Sequence, residues 1–426
     1  MLKTDACYQG FISILREELI PAMGCTEPIA IAYAAARARE LLGATPERIV
    51  AQISGSIIKN VKSVIVPNTG HLKGMEAAVA AGIIAGSAEK ELEVISEVSE
   101  EKKSAIRDYL QTVPITIEHT EQGHVFDIVV TERCGQDYAR VRIADYHTNI
   151  CRIEKNGTVL YEVPLLDETV QADARADRSL LNMQDIWDFA ETADLRDVAD
   201  LLERQIRYNN AIAEEGLLGD YGANIGRVLL TTYGNDVSNR AKAKAAAGSD
   251  ARMNGCELPV IINSGSGNQG ITCSVPLIEY AKELHSGKEK LYRALIISNL
   301  VAIHEKTGIG TLSAYCGAVS AGAGAGAGIV YLCGDGYQAA IHTVVNALAI
   351  VSGIVCDGAK ASCAAKIASS VDAALLGYNM YKCNQEFKGG DGIVMKDIET
   401  TIKGIGRLGK DGMRQTNEEI IRLMMS

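Results

Sequence analysis

The stretch TGIGTLSAYCGAVSAGAGAGAGIVYLCG, residues 307–334, contains no charged residue. By count alone it is long enough to cross a bilayer. Its centre, however, is Gly and Ala with Ser313, Tyr315 and Ser320 interspersed, and Leu, Ile, Val and Phe are sparse. Lipid favours larger apolar side chains, whereas small residues let neighbouring helices approach closely. The stretch therefore reads as a buried central helix of a helical core. Each interior Gly costs about 1 kcal/mol relative to Ala, so such a helix survives only through tertiary packing or by being tied to something.

Working outward, nearly everything beyond the charged run LLDETVQADARADRS (Leu165–Ser179) reads as helix, broken at glycine-containing turns. Upstream, helix and strand signals mix. Tyr8–Leu19 and Glu27–Leu42 read as helices, the second with Pro28 in its first turn. Met75–Ala88 reads as a third. Ile49–Ile58 and Ser63–Val66 read as short apolar strands or turns. VPITIEH, VFDIVVTE, ARVRIAD and NICRIEKNGTVLYEV alternate or carry β-branched residues, as strands do. Asn156-Gly157 inside the last of these is a hairpin turn of the primed type. The fold class is thus α+β. An N-terminal α/β domain, residues 1–170, precedes a mostly all-α domain, residues 171–426, built around the Gly/Ala-rich helix.

The chain has 426 residues and a net charge of −11, which argues against nucleic acid, a partner that rewards clustered Lys and Arg. It gives no attraction to an anionic membrane surface either. Eleven cysteines, an odd number, are scattered rather than set in the dense spacing of a small secreted domain. No signal peptide opens the sequence. These features describe a reduced, cytoplasmic protein without a membrane or nucleic-acid partner.

Three of those cysteines, Cys316, Cys356 and Cys363, lie in small-residue, sparsely charged surroundings. Three thiolates in an apolar helical region suit a buried iron–sulfur cluster and would leave one iron open to substrate, as a lyase needs. The spacing is neither a zinc ribbon nor a ferredoxin pattern, and free Cys also packs as a small hydrophobe, so spacing alone leaves both readings open. SGSGNQG (Ser264–Gly270) ends a β-branched run and opens a helix, presenting backbone N–H groups to an anion. Ser264, Gly265, Ser266, Gly267 and Asn268 are therefore candidate anion binders, suited to a substrate carboxylate as well as to a phosphate, and Asn68 and Thr69 in NTGHLKG form a weaker anion-loop candidate. His147 stands in a polar loop context. No pyridoxal-phosphate lysine motif is present.

Five motifs in order, GCTEPIA (Gly24–Ala30), NTGHLKG (Asn68–Gly74), SGSGNQG, LSAYCGAVSAGAGAGAG and GIVCDGAKASCAAKIASS, resemble the L-cysteine desulfidase family, a branch of the iron–sulfur-dependent L-serine dehydratases. The likeness runs nearly end to end. It implies a serine dehydratase β-domain-like N-terminal domain and an α-domain-like helical domain. It also implies a 4Fe–4S cluster on Cys316, Cys356 and Cys363, although the gap between the last two is shorter than in the serine dehydratases. Cys25 would be either a further ligand or a catalytic thiolate, at a helix start where the dipole lowers a thiol pKa. The implied reaction is β-elimination of L-cysteine to pyruvate, ammonia and sulfide, with Cys25 the preferred base and Lys306 and His147 the other candidates. The expected assembly is a homo-oligomer, a dimer. The alternatives are L-serine dehydration and a non-enzymatic iron–sulfur redox sensor.

Overall fold

The computed structural model describes residues 1–120, 124–165, 176–310 and 312–425. The expected domain boundary at 170/171 lies outside these. The N-terminal half opens with α1 (Ala6–Glu18), β1 (Pro21–Met23), α2 (Thr26–Leu42) and β2 (Arg48–Ser54). It continues with α3 (Gly55–Val61), α4 (Gly74–Ala85) and α5 (Glu100–Thr112). Five strands follow: β3 (Ile115–Thr120), β4 (Asp127–Cys134), β5 (Asp137–Ala144), β6 (Ile150–Lys155) and β7 (Thr158–Glu162). The six-stranded sheet has the order β3-β2-β4-β5-β6-β7, with only the β2–β3 pair parallel. α2 packs on β4 and β5. Asn156 and Gly157 both have positive φ, 51° and 81°, as a primed turn requires.

One sequence expectation changes here. The run read as strand or turn through Ile58 is β2 only as far as Ser54, and Gly55–Val61 turns into α3. An apolar run this short cannot distinguish a strand from a buried helical turn.

The second half is helical: α6 (Met183–Thr192), α7 (Ala199–Leu218), α8 (Ile225–Tyr233), α9 (Val237–Met253), a short β8 (Pro259–Ile261), α10 (Gly267–Glu283) and α11 (Lys288–Ile309). Then come α12 (Gly317–Cys333), α13 (Tyr337–Val351), α14 (Cys363–Lys382), α15 (Ile398–Arg407) and α16 (Arg414–Met425). β1 pairs antiparallel with β8, and one hydrophobic core runs through both halves.

The uncharged stretch that decided the reading is α12, packed among α10, α11, α13 and α14. Its alternating Ala-Gly pattern has a geometric use. Residues four apart share a helix face, so Gly322 and Gly326 form one bare stripe and Gly324 and Gly328 another. A Cβ on Gly322 would lie 2.8 Å from Ser370 backbone atoms, and one on Gly326 would lie 2.8 Å from Ala374 Cβ, both on α14. Gly324 and Gly328 instead face the Ser298 and Ala294 carbonyls of α11. Two flanking helices thus approach nearly to backbone contact, which compensates the poor helix propensity of glycine. Among the described residues no helix is long and apolar enough to cross a membrane.

Candidate functional site

A cavity of about 130 Å³ lies where the two halves meet, and its walls come from most of the sequence motifs. Cys25, Cys316, Cys356 and Cys363 all line it, together with His147, Lys306, Ser264, Gly265, Ser266 and Asn268. Gly267 begins α10 beside them.

Local structure explains each position. Cys25 is the residue before the first turn of α2, reached through Gly24 in a left-handed conformation (φ 60°). A Cβ on Gly24 would also strike Pro67, 2.7 Å away, so the Gly-Cys order is required by both backbone and space. Cys316 occupies the same position at α12. An isolated antiparallel bridge between Tyr315 and Val355 brings the next two cysteines together: Cys316 N donates to Ile354 O (3.1 Å), and Cys356 N to Ala314 O (2.6 Å). Cys363 opens α14, its thiol 3.6 Å from the Gly358 carbonyl. The turn Asn263–Ser266, with Ser264 and Gly265 at positive φ, leads into α10. Thr26 Oγ1 donates to Gly265 O at 3.0 Å and so ties the turn to the start of α2.

Asn68 and Thr69 do not line the cavity, and their polar atoms are engaged in holding their own loop. Asn68 Nδ2 donates to Ile95 O (2.8 Å) and contacts Met23 Sδ (3.1 Å), and Thr69 Oγ1 donates to Val66 O (2.7 Å). This loop props the strand that delivers Cys25. Their side chains thus serve the loop itself rather than the cavity.

The walls also include four polar residues that the motif reading passed over: Glu27, Asn60, Arg252 and Gln269. Glu27 Oε2 accepts from the Cys25 thiol (2.9 Å) and lies 3.2 Å from Thr26 Oγ1, whose one proton it shares with Gly265 O, and its Oε1 accepts from Asn60 Nδ2 (2.8 Å). Burial opposes the charged form of Glu27, but the facing His147 and the bonds from Cys25 and Asn60 outweigh it, holding the carboxyl well below its usual range. His147 Nε2 stands 3.9 Å from Glu27 Oε1, too far for a direct hydrogen bond, and its ring lies edge-on to Phe126. Glu27 was legible in principle, since it belongs to GCTEP. Arg252, on an Ala-rich helix, carried no such signal.

Burial pushes the Cys316 thiol up to about 12, with Cys356 and Cys363 adding to the effect, and raises Cys363 as well. Cys25 is also raised well above its usual value, first by burial and then by Glu27, with Arg252 opposing. The helix start does lower this thiol, through the backbone N–H of Glu27, but loss of water and the neighbouring carboxylate outweigh it in the metal-free protein. Burial also lowers Lys306 to about 8. Below the cysteines, Lys59 of α3 donates to Cys356 O (3.3 Å) and to Asn417 Oδ1 of α16 (2.7 Å). Among the described residues no three His, Cys, Asp or Glu side chains converge on a point, as a single metal ion would need.

Comparison with known proteins agrees with this arrangement. The serine dehydratase alpha chain family matches residues 89–422, a span covering five strands of the six-stranded sheet besides the helical half. A UPF0597 protein of Desulfitobacterium hafniense is 60% identical over 426 residues, covering 100% of this chain and 99% of its own. UPF0597 proteins of Lachnoclostridium phytofermentans and Treponema denticola are 52% and 47% identical, each covering 98% of this chain and 100% and 98% of their own lengths. The chain belongs to the serine dehydratase alpha chain family.

Proposed function

We propose that this protein is an L-cysteine desulfidase, a lyase that eliminates sulfide from L-cysteine with the aid of a 4Fe–4S cluster. The observation that carries the reading is the presence of four thiols, Cys25, Cys316, Cys356 and Cys363, around one cavity with a carboxylate-binding turn. The donor set fits the cofactor. Its thiols are buried, soft and distributed around a space rather than aimed at one point, and a cluster takes one cysteine per iron. Cys316, Cys356 and Cys363 would hold it. When bound, an iron without a cysteine ligand supplies Lewis acidity toward the departing β-substituent.

The remaining work belongs to the chain. Backbone N–H groups at the start of α10 hold the substrate carboxylate. A base removes the α-proton as the C–S bond breaks, giving sulfide and aminoacrylate, which takes up water to form pyruvate and ammonia. Lys306, lowered to about 8, is partly neutral near physiological pH and suits that role. Cys25 and His147 are the other candidates. Cys25 holds its proton in the metal-free protein and donates it toward Glu27. A second reading, L-serine dehydration, is favoured by the description of the matching family. The two substrates differ only at the β-heteroatom.

The test is anaerobic purification, a visible spectrum, and parallel assays of sulfide and pyruvate from L-cysteine and of pyruvate from L-serine. Brown protein releasing sulfide supports desulfidation, and brown protein acting only on serine selects the second reading. Protein that stays colourless and inactive after reconstitution with iron and sulfide overturns both.

A further inference from the structure

Arg252 ends α9 with 3% of its surface exposed, and it lines the cavity. Among the described residues it makes no hydrogen bond or ion pair, and its Nε is buried without a partner. A guanidinium carries five N–H donors and keeps its charge in proteins. Burying such a group unpaired is costly, and the Glu27 oxygens nearby are engaged by Cys25, Thr26 and Asn60. Arg252 rests against the first turn of α10: a Cβ on Gly267 would collide with its Nε and lie 2.7 Å from Cζ. That turn has no side-chain cap, since Ser266 makes no capping bond, so its leading N–H groups have no partner within the helix. Glycine at 267 thus makes room for a planar cation beside a row of backbone donors.

Unpaired acceptors line the same cavity. Asn60 Oδ1, Asn268 Oδ1 and Gln269 Oε1 are buried without partners. The orientation of Asn60 is fixed, because its Nδ2 donates to a carboxylate that can only accept.

We infer that the cavity recognises a free α-amino acid by both ends: Arg252 and the first turn of α10 bind its carboxylate, and the oxygens of Asn60, Asn268 and Gln269 receive its ammonium. This rests on the proposed reaction for the identity of the substrate, but not for the existence of the subsite. A bidentate guanidinium–carboxylate pair fixes orientation as well as charge. Peptides and simple amines each leave one set of buried groups unsatisfied, and the site rejects them on that ground.

The probe is L-alanine, which lacks a leaving group, compared with ethylamine, which lacks the carboxylate, and propionate, which lacks the ammonium. Calorimetry on wild-type protein should show L-alanine binding about tenfold or more tighter than either fragment. Arg252→Met should weaken L-alanine, and raise KM for the true substrate, by about 100-fold, with the iron–sulfur spectrum unchanged. Gly267→Ala, which displaces the guanidinium without removing it, should act in the same direction. Ethylamine binding as well as L-alanine would overturn the inference. So would an Arg252→Met protein with unchanged L-alanine affinity and a bleached spectrum, because Arg252 would then serve the thiolates. The wild-type ligand series decides the matter even if Arg252→Met does not fold. L-alanine binding that depends on Arg252, in a protein that turns over neither L-cysteine nor L-serine, would uphold the subsite while refuting the reaction.

Discussion

Gly322→Ala tests whether the bare stripes of α12 hold the cysteine site in shape. The new Cβ would lie 2.8 Å from the backbone carbon and oxygen of Ser370, and backbone atoms cannot rotate aside as a flexible side chain can. Relief requires α12 and α14 to separate by several tenths of an ångström. Overpacking costs about 1–3 kcal/mol, and against backbone that cannot yield the upper part of that range applies, about 2–3 kcal/mol, while replacing an interior helix Gly by Ala returns about 1 kcal/mol. The net loss is about 1–2 kcal/mol. With an unfolding entropy of about 0.9 kcal/mol/K for a chain of this size, Tm should fall by roughly 1–2 °C.

The consequence for the site is larger than the melting shift suggests. α12 begins immediately after Cys316, and α14 begins at Cys363, so spreading these helices moves two of the proposed iron ligands apart. The assay is calorimetric melting of the metal-free protein, followed by iron content after anaerobic reconstitution. Gly353→Ala is the control, because a Cβ there meets nothing within 4 Å, and it should change stability by less than about 0.5 kcal/mol. Expected is a lowered Tm and reduced iron retention in Gly322→Ala alone. A Gly322→Ala protein that melts at or above wild type and binds iron fully would refute the packing argument.

Three further outcomes follow from the site. Cys316→Ser or Cys356→Ser should reduce bound iron and elimination activity to background, measured by metal analysis and by pyruvate release; an intact cluster in both would return these thiols to a packing role. Lys306→Met should abolish turnover and remove a rise in kcat/KM through about pH 8. The same residue gives a stability signature in metal-free protein. Its folded pKa lies below the ordinary lysine value of 10.5, so between about 8 and 10.5 the unfolded chain binds more protons and stability increases with pH. The difference between wild type and Lys306→Met should show that increment, and parallel curves would exclude it. Lys59→Met removes the donor shared by Cys356 O and Asn417 Oδ1. Loss of charge-assisted bonds worth about 1.5–3 kcal/mol should raise local opening of α16 about tenfold or more. Limited proteolysis near residue 413 reads this directly, and an unchanged cleavage rate would mean that Lys59 does not anchor the helix.

The sequence carried the fold wherever periodicity or chain punctuation was unambiguous. Alternation marked β3 to β7, Asn156-Gly157 marked their last hairpin, and the absence of bulky side chains in α12 separated a packed helix from a membrane span. It misled at the start of α3, read as strand or turn because SGSIIKNV is too short to show a period, and there the structure supplies Asn60 and Lys59 to the site. The same division runs through the candidate site. Cysteines and a glycine-rich turn can be picked out as candidates, although each also has an ordinary packing or turn role. Asn68 and Thr69 were the weaker anion-loop candidate, and their side-chain donors are engaged by their own loop.

Arg252 shows why the remainder could not be read. In sequence it is one arginine near the end of an Ala-rich helix, indistinguishable from the exposed arginines found in the last turn of many helices. Its meaning arises from two facts that only a folded chain possesses: it is buried, and nothing in the described protein neutralises it at hydrogen-bond distance. Glu27 is the complementary case, equally buried but fully engaged by Cys25, Thr26 and Asn60. A buried charge with its partners present is a structural element, whereas one without them defines the shape and sign of a ligand. On this argument the cavity is built for an anion beside Arg252, and the thiols that line the same cavity determine what is done to the molecule that carries it.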